Sequence, residues 1–102
     1  ENIADVAGLA TAYDAYTLSR QGKPSVTLEG MTPDQRFFLG FAQAFRAKAR
    51  DAALRNSLMT NVHSPGMYRT ETVRNQDAWY AAFDVKPGQA RYLPPNKRVH
   101  VW

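Results

Sequence analysis

The stretch Thr32-Pro33-Asp34-Gln35, followed by Phe37, Phe38, Phe41 and Phe45, restricts this chain more than any other. Thr32 offers an N-cap hydroxyl, and Pro33 suits the first helical position, where its missing N–H costs nothing. Asp34 puts a negative charge at the positive end of the helix dipole, and Gln35 completes a capping box. Phe37, Phe41 and Phe45 then recur at i, i+4 and i+8 on one helical face, which Phe38 broadens. A helix with such a face must bury it, so the phenylalanines are read as core and the chain is committed to helix packing. On the same helix Gly40, Ala42, Ala44, Ala47 and Ala49 leave a side narrow enough for a neighbouring backbone to approach closely.

An earlier helix is predicted from about residue 3 to Arg20. Ile3, Ala7, Ala10, Tyr13 and Thr17 form its apolar stripe, widened by Leu9 and Tyr16. Gln21-Gly22 with Pro24 beyond is a stop signal, because glycine tolerates a left-handed cap and proline cannot continue the helix. From Asn56 to about Thr72 the periodicity dissolves, with a turn at Ser64-Pro65-Gly66. A shorter helix capped by Asn75 is expected next, with Trp79 and Phe83 facing the core. Pro87-Gly88 and Pro94-Pro95 break the remainder, and in the tail RVHVW Val99 and Val101 alternate with His100 and Trp102. The expected architecture is all-α: two long helices, one short helix and an irregular C-terminal segment.

At 102 residues the chain makes one domain at most. Its net charge of +4 comes from cations spread between Arg20 and Arg98. The densest group, Arg46, Lys48, Arg50 and Arg55, is read as the last turns of the second helix, where cations offset the dipole. That distribution argues against nucleic acid as a partner. No cysteine is present, so neither a disulfide framework nor a thiolate metal site is available. No apolar run approaches the roughly 18 residues of a membrane span.

The chemistry-bearing residues are Glu1, Asp5, His63, Arg69 and His100. Glu1 and Asp5 stand four apart at the head of the first helix, so both carboxylates project from one face. They are either a solvated face or a metal ligand followed, one turn later, by the group that holds another ligand. A stand-alone zinc site needs three or four ligands, and the two-histidine helix motif HExxH is absent. No nucleophile triad and no phosphate-cradling loop can be assembled. On the residues alone the solvated face is the preferred reading of the paired acids, and the loop histidine and arginine read as surface.

Several stretches together are more specific. ENIADVAGL at 1–9, MTPDQRFFLGFAQAFR at 31–46, NVHSPGMYR at 61–69, AFDVKPG at 82–88 and YLPPNKRVHVW at 92–102 resemble, in order, the C-terminal end of the neprilysin-like zinc metallopeptidases. The resemblance covers essentially the whole chain. It implies that residues 1–102 are a C-terminal fragment of a zinc metallopeptidase catalytic domain, part of a thermolysin-like gluzincin fold. Glu1 corresponds to a zinc ligand, and Asp5 to the aspartate that accepts a hydrogen bond from a zinc-binding histidine, an arrangement that fixes an imidazole's tautomer. His63 corresponds to the histidine that hydrogen-bonds the oxyanion, and Arg69 to the arginine that binds a backbone carbonyl of the peptide substrate. The HExxH helix, with its two histidines and general base, belongs to the missing N-terminal part of the same domain. The fragment alone is therefore expected to be inactive and to bind zinc weakly.

Three departures from the family pattern stand out. Asn61 occupies the place of an acid two residues before the histidine in animal members, which leaves the protonation of His63 open. Val6-Ala7 changes packing and leaves the ligands alone. Val99 replaces a cysteine, so the family's disulfide is absent, which points to a bacterial protein, periplasmic or secreted by family resemblance. No motif claims His100. The competing class is a basic helical interaction module without catalysis, separated from the peptidase by whether HExxH lies upstream in the parent gene.

Overall fold

Five α-helices build the computed structural model, which describes residues 1–101: α1 (Asn2–Arg20), α2 (Pro33–Ala44), α3 (Asp51–Thr60), α4 (Gly66–Thr70) and α5 (Asp77–Phe83). Short 3-10 turns follow at Glu71–Asn75 and Pro95–Lys97. The one β-type pairing among the described residues is an isolated bridge between Leu28 and Met31. The chain is all-helical, as its sequence predicts. Among the described residues no helix is long and apolar enough to cross a membrane.

The capping box at the head of α2 forms as read. The Gln35 amide donates to the Thr32 hydroxyl at 3.2 Å, and the Gln35 side chain accepts from the Thr32 amide at 3.0 Å. Helix α1 stops at Arg20, and Gly22 follows with φ of +71°, the left-handed conformation that its lack of a Cβ permits. Helices α1 and α2 meet through aromatic rings: Tyr13 stacks on Phe38 at 5.4 Å and Tyr16 on Phe37 at 4.9 Å. Both tyrosine hydroxyls donate to the Asp34 carboxylate, at 3.1 and 2.8 Å. Gln35 also donates to the Ala82 carbonyl at 2.9 Å, tying α2 to α5. Tyr80 anchors the irregular C-terminal chain: its hydroxyl donates to the Arg74 carbonyl and accepts from the Leu93 amide, while Arg98 lies over its ring at 3.6 Å.

The faces differ from those the periodicity suggests. The buried residues of α1 are Val6 and Leu9, while Ile3 is 71% exposed. The most buried phenylalanine is Phe38, at 2%, whereas Phe37, Phe41 and Phe45 are half-buried. On α5 Tyr80 faces the core, and Phe83 stands at its edge. The second helix ends at Ala44 with Phe45 as its C-cap, so Arg46, Lys48 and Arg50 lie in the irregular stretch beyond it and Arg55 falls in α3. Their charges therefore do not sit on the last turn of α2. Residues 51–60, partly read as aperiodic, are helical although none of them is buried. Asn75 does not cap α5; its side chain instead donates to the Thr72 carbonyl and accepts from the Val99 amide. For the tail, Trp102 lies outside the described residues.

Candidate active site

Glu1 and Asp5 form the first turn of α1, closed by the Asp5 amide donating to the Glu1 carbonyl at 2.9 Å. The remaining site residues come from the other side of the sequence. After Asn61 the chain turns through Ser64-Pro65 into α4, whose fourth residue is Arg69. The Pro65 carbonyl accepts from the Tyr68 and Arg69 amides at 2.9 and 3.3 Å and so starts that short helix. Gly66 lies so close to the end of α2 that a Cβ there would fall 2.6 Å from the Phe45 carbonyl oxygen. Only a residue without a side chain lets the loop sit down this far.

The two halves join through a bidentate pair. Arg69 Nε donates to Asp5 Oδ2 at 2.7 Å and Nη2 to Oδ1 at 2.7 Å. Fork geometry of this kind is the strongest form of the arginine–carboxylate contact. The Asp5 side chain is 9% exposed and that of Arg69 21%, so the pair is largely withdrawn from water. These hydrogen bonds hold the Asp5 carboxyl below the usual carboxylate value, against the opposing effect of burial. The guanidinium also lies over the Phe45 ring, 4.6 Å from its centroid.

Glu1 is held more loosely. Its Oε1 is 3.5 Å from His63 Nε2, and its Oε2 is 3.5 Å from Arg69 Nη2. Both oxygens keep lone pairs for a further partner. On the other side of His63, Asn61 Oδ1 accepts the His63 amide at 2.9 Å and stands 2.9 Å from Nδ1. An oxygen already fixed as an acceptor by the backbone can only accept from the ring as well. The Nδ1 proton is thereby assigned, and Nε2 donates a hydrogen bond only when the imidazole is charged.

Four of the five residues singled out from the sequence, Glu1, Asp5, His63 and Arg69, thus meet in one cluster. His100 lies apart from them, beside Val6, Ala10 and Gln76. One contributor escapes sequence reasoning: Phe45 fits the helical stripe and is read there simply as core. Asn61, read there as a departure that bears on the protonation of His63, holds both the His63 amide and its Nδ1. An open apolar cleft of about 300 Å³, lined by residues including Gly8, Leu9, Phe37 and Phe41, borders Asp5 between α1 and α2. For a metal, the fit is that of a single ligand. Glu1 offers exposed hard oxygen donors, Asp5 is occupied by Arg69, and the described residues hold no group of three or more ligating side chains.

Comparison with known proteins extends this geometry. Residues 1–99 match the family model described as Peptidase family M13. Over its full length the chain is 36% identical to the neutral endopeptidase of Lactobacillus helveticus, and it spans 14% of that protein. It is 37% identical to human neprilysin, again over all of this chain and 14% of the relative. Its fold matches that of the zinc metalloprotease ZMP1 of Mycobacterium tuberculosis, solved in an open state and with an inhibitor. The TM-score is 0.92 at 44% identity, over 99% of this chain and 16% of that one.

Proposed function

The chain belongs to peptidase family M13, and from that premise we propose that it is the C-terminal part of the catalytic domain of a zinc metalloendopeptidase acting on peptides. The observation that carries the reading is the convergence of Glu1 and Asp5 with His63 and Arg69, residues more than 55 positions apart in sequence. Glu1 is the residue of this chain that would hold the zinc, completing a ligand set whose histidines lie outside it. Zinc bound there supplies Lewis-acid polarisation of the scissile carbonyl.

The other side chains divide the remaining work. Asp5 accepts two N–H groups from Arg69 and keeps a lone pair on each oxygen, sufficient to accept from a zinc-holding histidine as well. Among the described residues Arg69 Nη1 makes no hydrogen bond, and it is the group that holds a backbone carbonyl of the peptide. His63, with its Nδ1 proton on Asn61, presents Nε2 to the oxygen that gains negative charge. A charged imidazole is the form that donates there. The address proposed with this activity is the bacterial periplasm or the exterior.

The test is made on the full-length parent protein. Glu1→Ala should remove zinc and peptide hydrolysis together, whereas the 102-residue chain alone should neither hydrolyse peptides nor bind zinc tighter than about micromolar. A parent that keeps its zinc and its activity after Glu1→Ala would overturn the assignment.

A further inference from the structure

We propose that Phe45 is a positioning residue for Arg69, an inference that rests on the reading of Arg69 as the donor to the peptide carbonyl. Asp5 grips the guanidinium along one edge, through Nε and Nη2. An edge contact fixes the group within its plane but leaves it free to tilt about the carboxylate. The Phe45 ring, 4.6 Å from Cζ, meets the face and restricts that tilt. The ring's negative quadrupole attracts a cation on this side, which an aliphatic residue of similar size would not do. Edge and face together aim Nη1 in one direction, and Nη1 is the one terminal nitrogen left without a partner among the described residues.

The backbone around Phe45 fits this role. Phe45 stands at the C-cap of α2, where the helix stops. Its carbonyl is the atom against which Gly66 is seated, so the loop that carries Arg69 is registered on Phe45 by both main chain and ring. Phe41 packs edge-on against Phe45 at 5.2 Å and holds the ring upright. Phe45 is half-buried, and the Arg69 guanidinium covers one face of its ring.

The experiment uses the full-length parent with Phe45→Leu, and with Phe45 replaced by phenylalanines of increasing fluorination, which keep the ring's shape and weaken its attraction for a cation. The KM for a fluorogenic peptide should rise about fivefold in Phe45→Leu. It should climb stepwise along the fluorinated series, with kcat and zinc content unchanged. In an Arg69→Ala background the same changes at Phe45 should have no effect. A flat fluorination series, or one that persists undiminished without Arg69, overturns the inference and leaves the peptidase reading standing. If Arg69→Ala itself leaves KM unchanged, the substrate role of Arg69 fails, and this inference fails with it. Should Phe45→Leu not fold, the shape-preserving series decides the matter alone.

Discussion

On the proposed reading, Asp5 is one carboxylate that serves two neighbours, Arg69 and a zinc-holding histidine. Its bidentate contact with Arg69 is short on both arms, and the pair is mostly buried, so removing either partner strands the other's charge away from water. Asp5→Ala in the parent should therefore act twice. Zinc affinity should fall about 10–100-fold as a histidine loses its acceptor, and KM should rise because Arg69 loses its anchor. Metal titration and steady-state kinetics on the same protein check both arms; a loss of zinc affinity with KM unmoved would refute the anchoring role. His63→Phe should behave differently. Zinc and KM should hold while kcat drops about 10²–10³-fold, the loss expected for one oxyanion donor. In the proposed role Nε2 would meet its partner only as charge develops on the carbonyl oxygen, so its removal should be felt in the transition state. Undiminished turnover in zinc-loaded His63→Phe would remove that loop from catalysis.

Among the elements, the loop over residues 61–69 and the end of α2 are fitted to each other through Gly66. A methyl group at Gly66 would meet a backbone oxygen, which has no rotamer to escape into. Gly66→Ala should lower stability by about 1–3 kcal/mol and displace Arg69 from Phe45, so thermal unfolding and KM should worsen together; a variant of native stability and native KM would contradict the seat. The seam between α1 and α2 makes a pH prediction. Burial first, then the hydrogen bond to Asp34, raises the Tyr16 hydroxyl to about 12 from its ordinary 10. A group whose pKa is raised on folding contributes stability that is present below the unfolded value and lost as pH climbs through the folded one. Alkaline titration should thus weaken the seam between pH 10 and about 12, and Tyr16→Phe should blunt that limb of the stability profile. These elements also mark how far the sequence could be read. The capping box of α2 and the glycine stop of α1 are local chemistry and were legible. Helix α3 was only half legible, because Leu54, Leu58 and Met59 stay exposed and bury no face that would give their spacing meaning. The preference for Val6 and Leu9 over Ile3 depends on where Gln76 and the 3-10 turn come to rest, and periodicity along one helix carries no record of that. At the site, the spacing of Glu1 and Asp5 placed them on one face, but their meeting with Arg69 is tertiary and only family resemblance anticipated it.

For the whole molecule, the balance of surface and core fits the proposal that the chain is part of a larger catalytic domain. Val6, Leu9, Pro33, Phe38 and Tyr80 are the buried apolar side chains among the described residues. Against them stand Ile3, Leu58, Met59, Val62 and Met67, each more than half exposed, with Val62 at 90%. The radius of gyration is 15.4 Å over a 48 × 32 × 27 Å envelope, whereas a compact domain of this length has about 13 Å. Helix α3 is the extreme case: ten residues, no side-chain cap and nothing buried. Isolated helices of that length are marginal in water, since their stability comes from packing an apolar face. This chain spans 14% of its relatives, and on the proposed reading the rest of a protein of their length would cover that helix. The expected outcome is a difference between two hydrogen-exchange measurements. In the 102-residue chain, amides of 51–60 should exchange almost as fast as unstructured peptide, while α1 and α2 keep protection through their aromatic seam. In the full-length protein the same amides should be slowed by orders of magnitude. The isolated chain should also bind a hydrophobic dye and self-associate as its concentration rises. A strict, dye-silent monomer with a protected α3 would mean that the helix is held by something within these residues, and the exposed face would need another explanation.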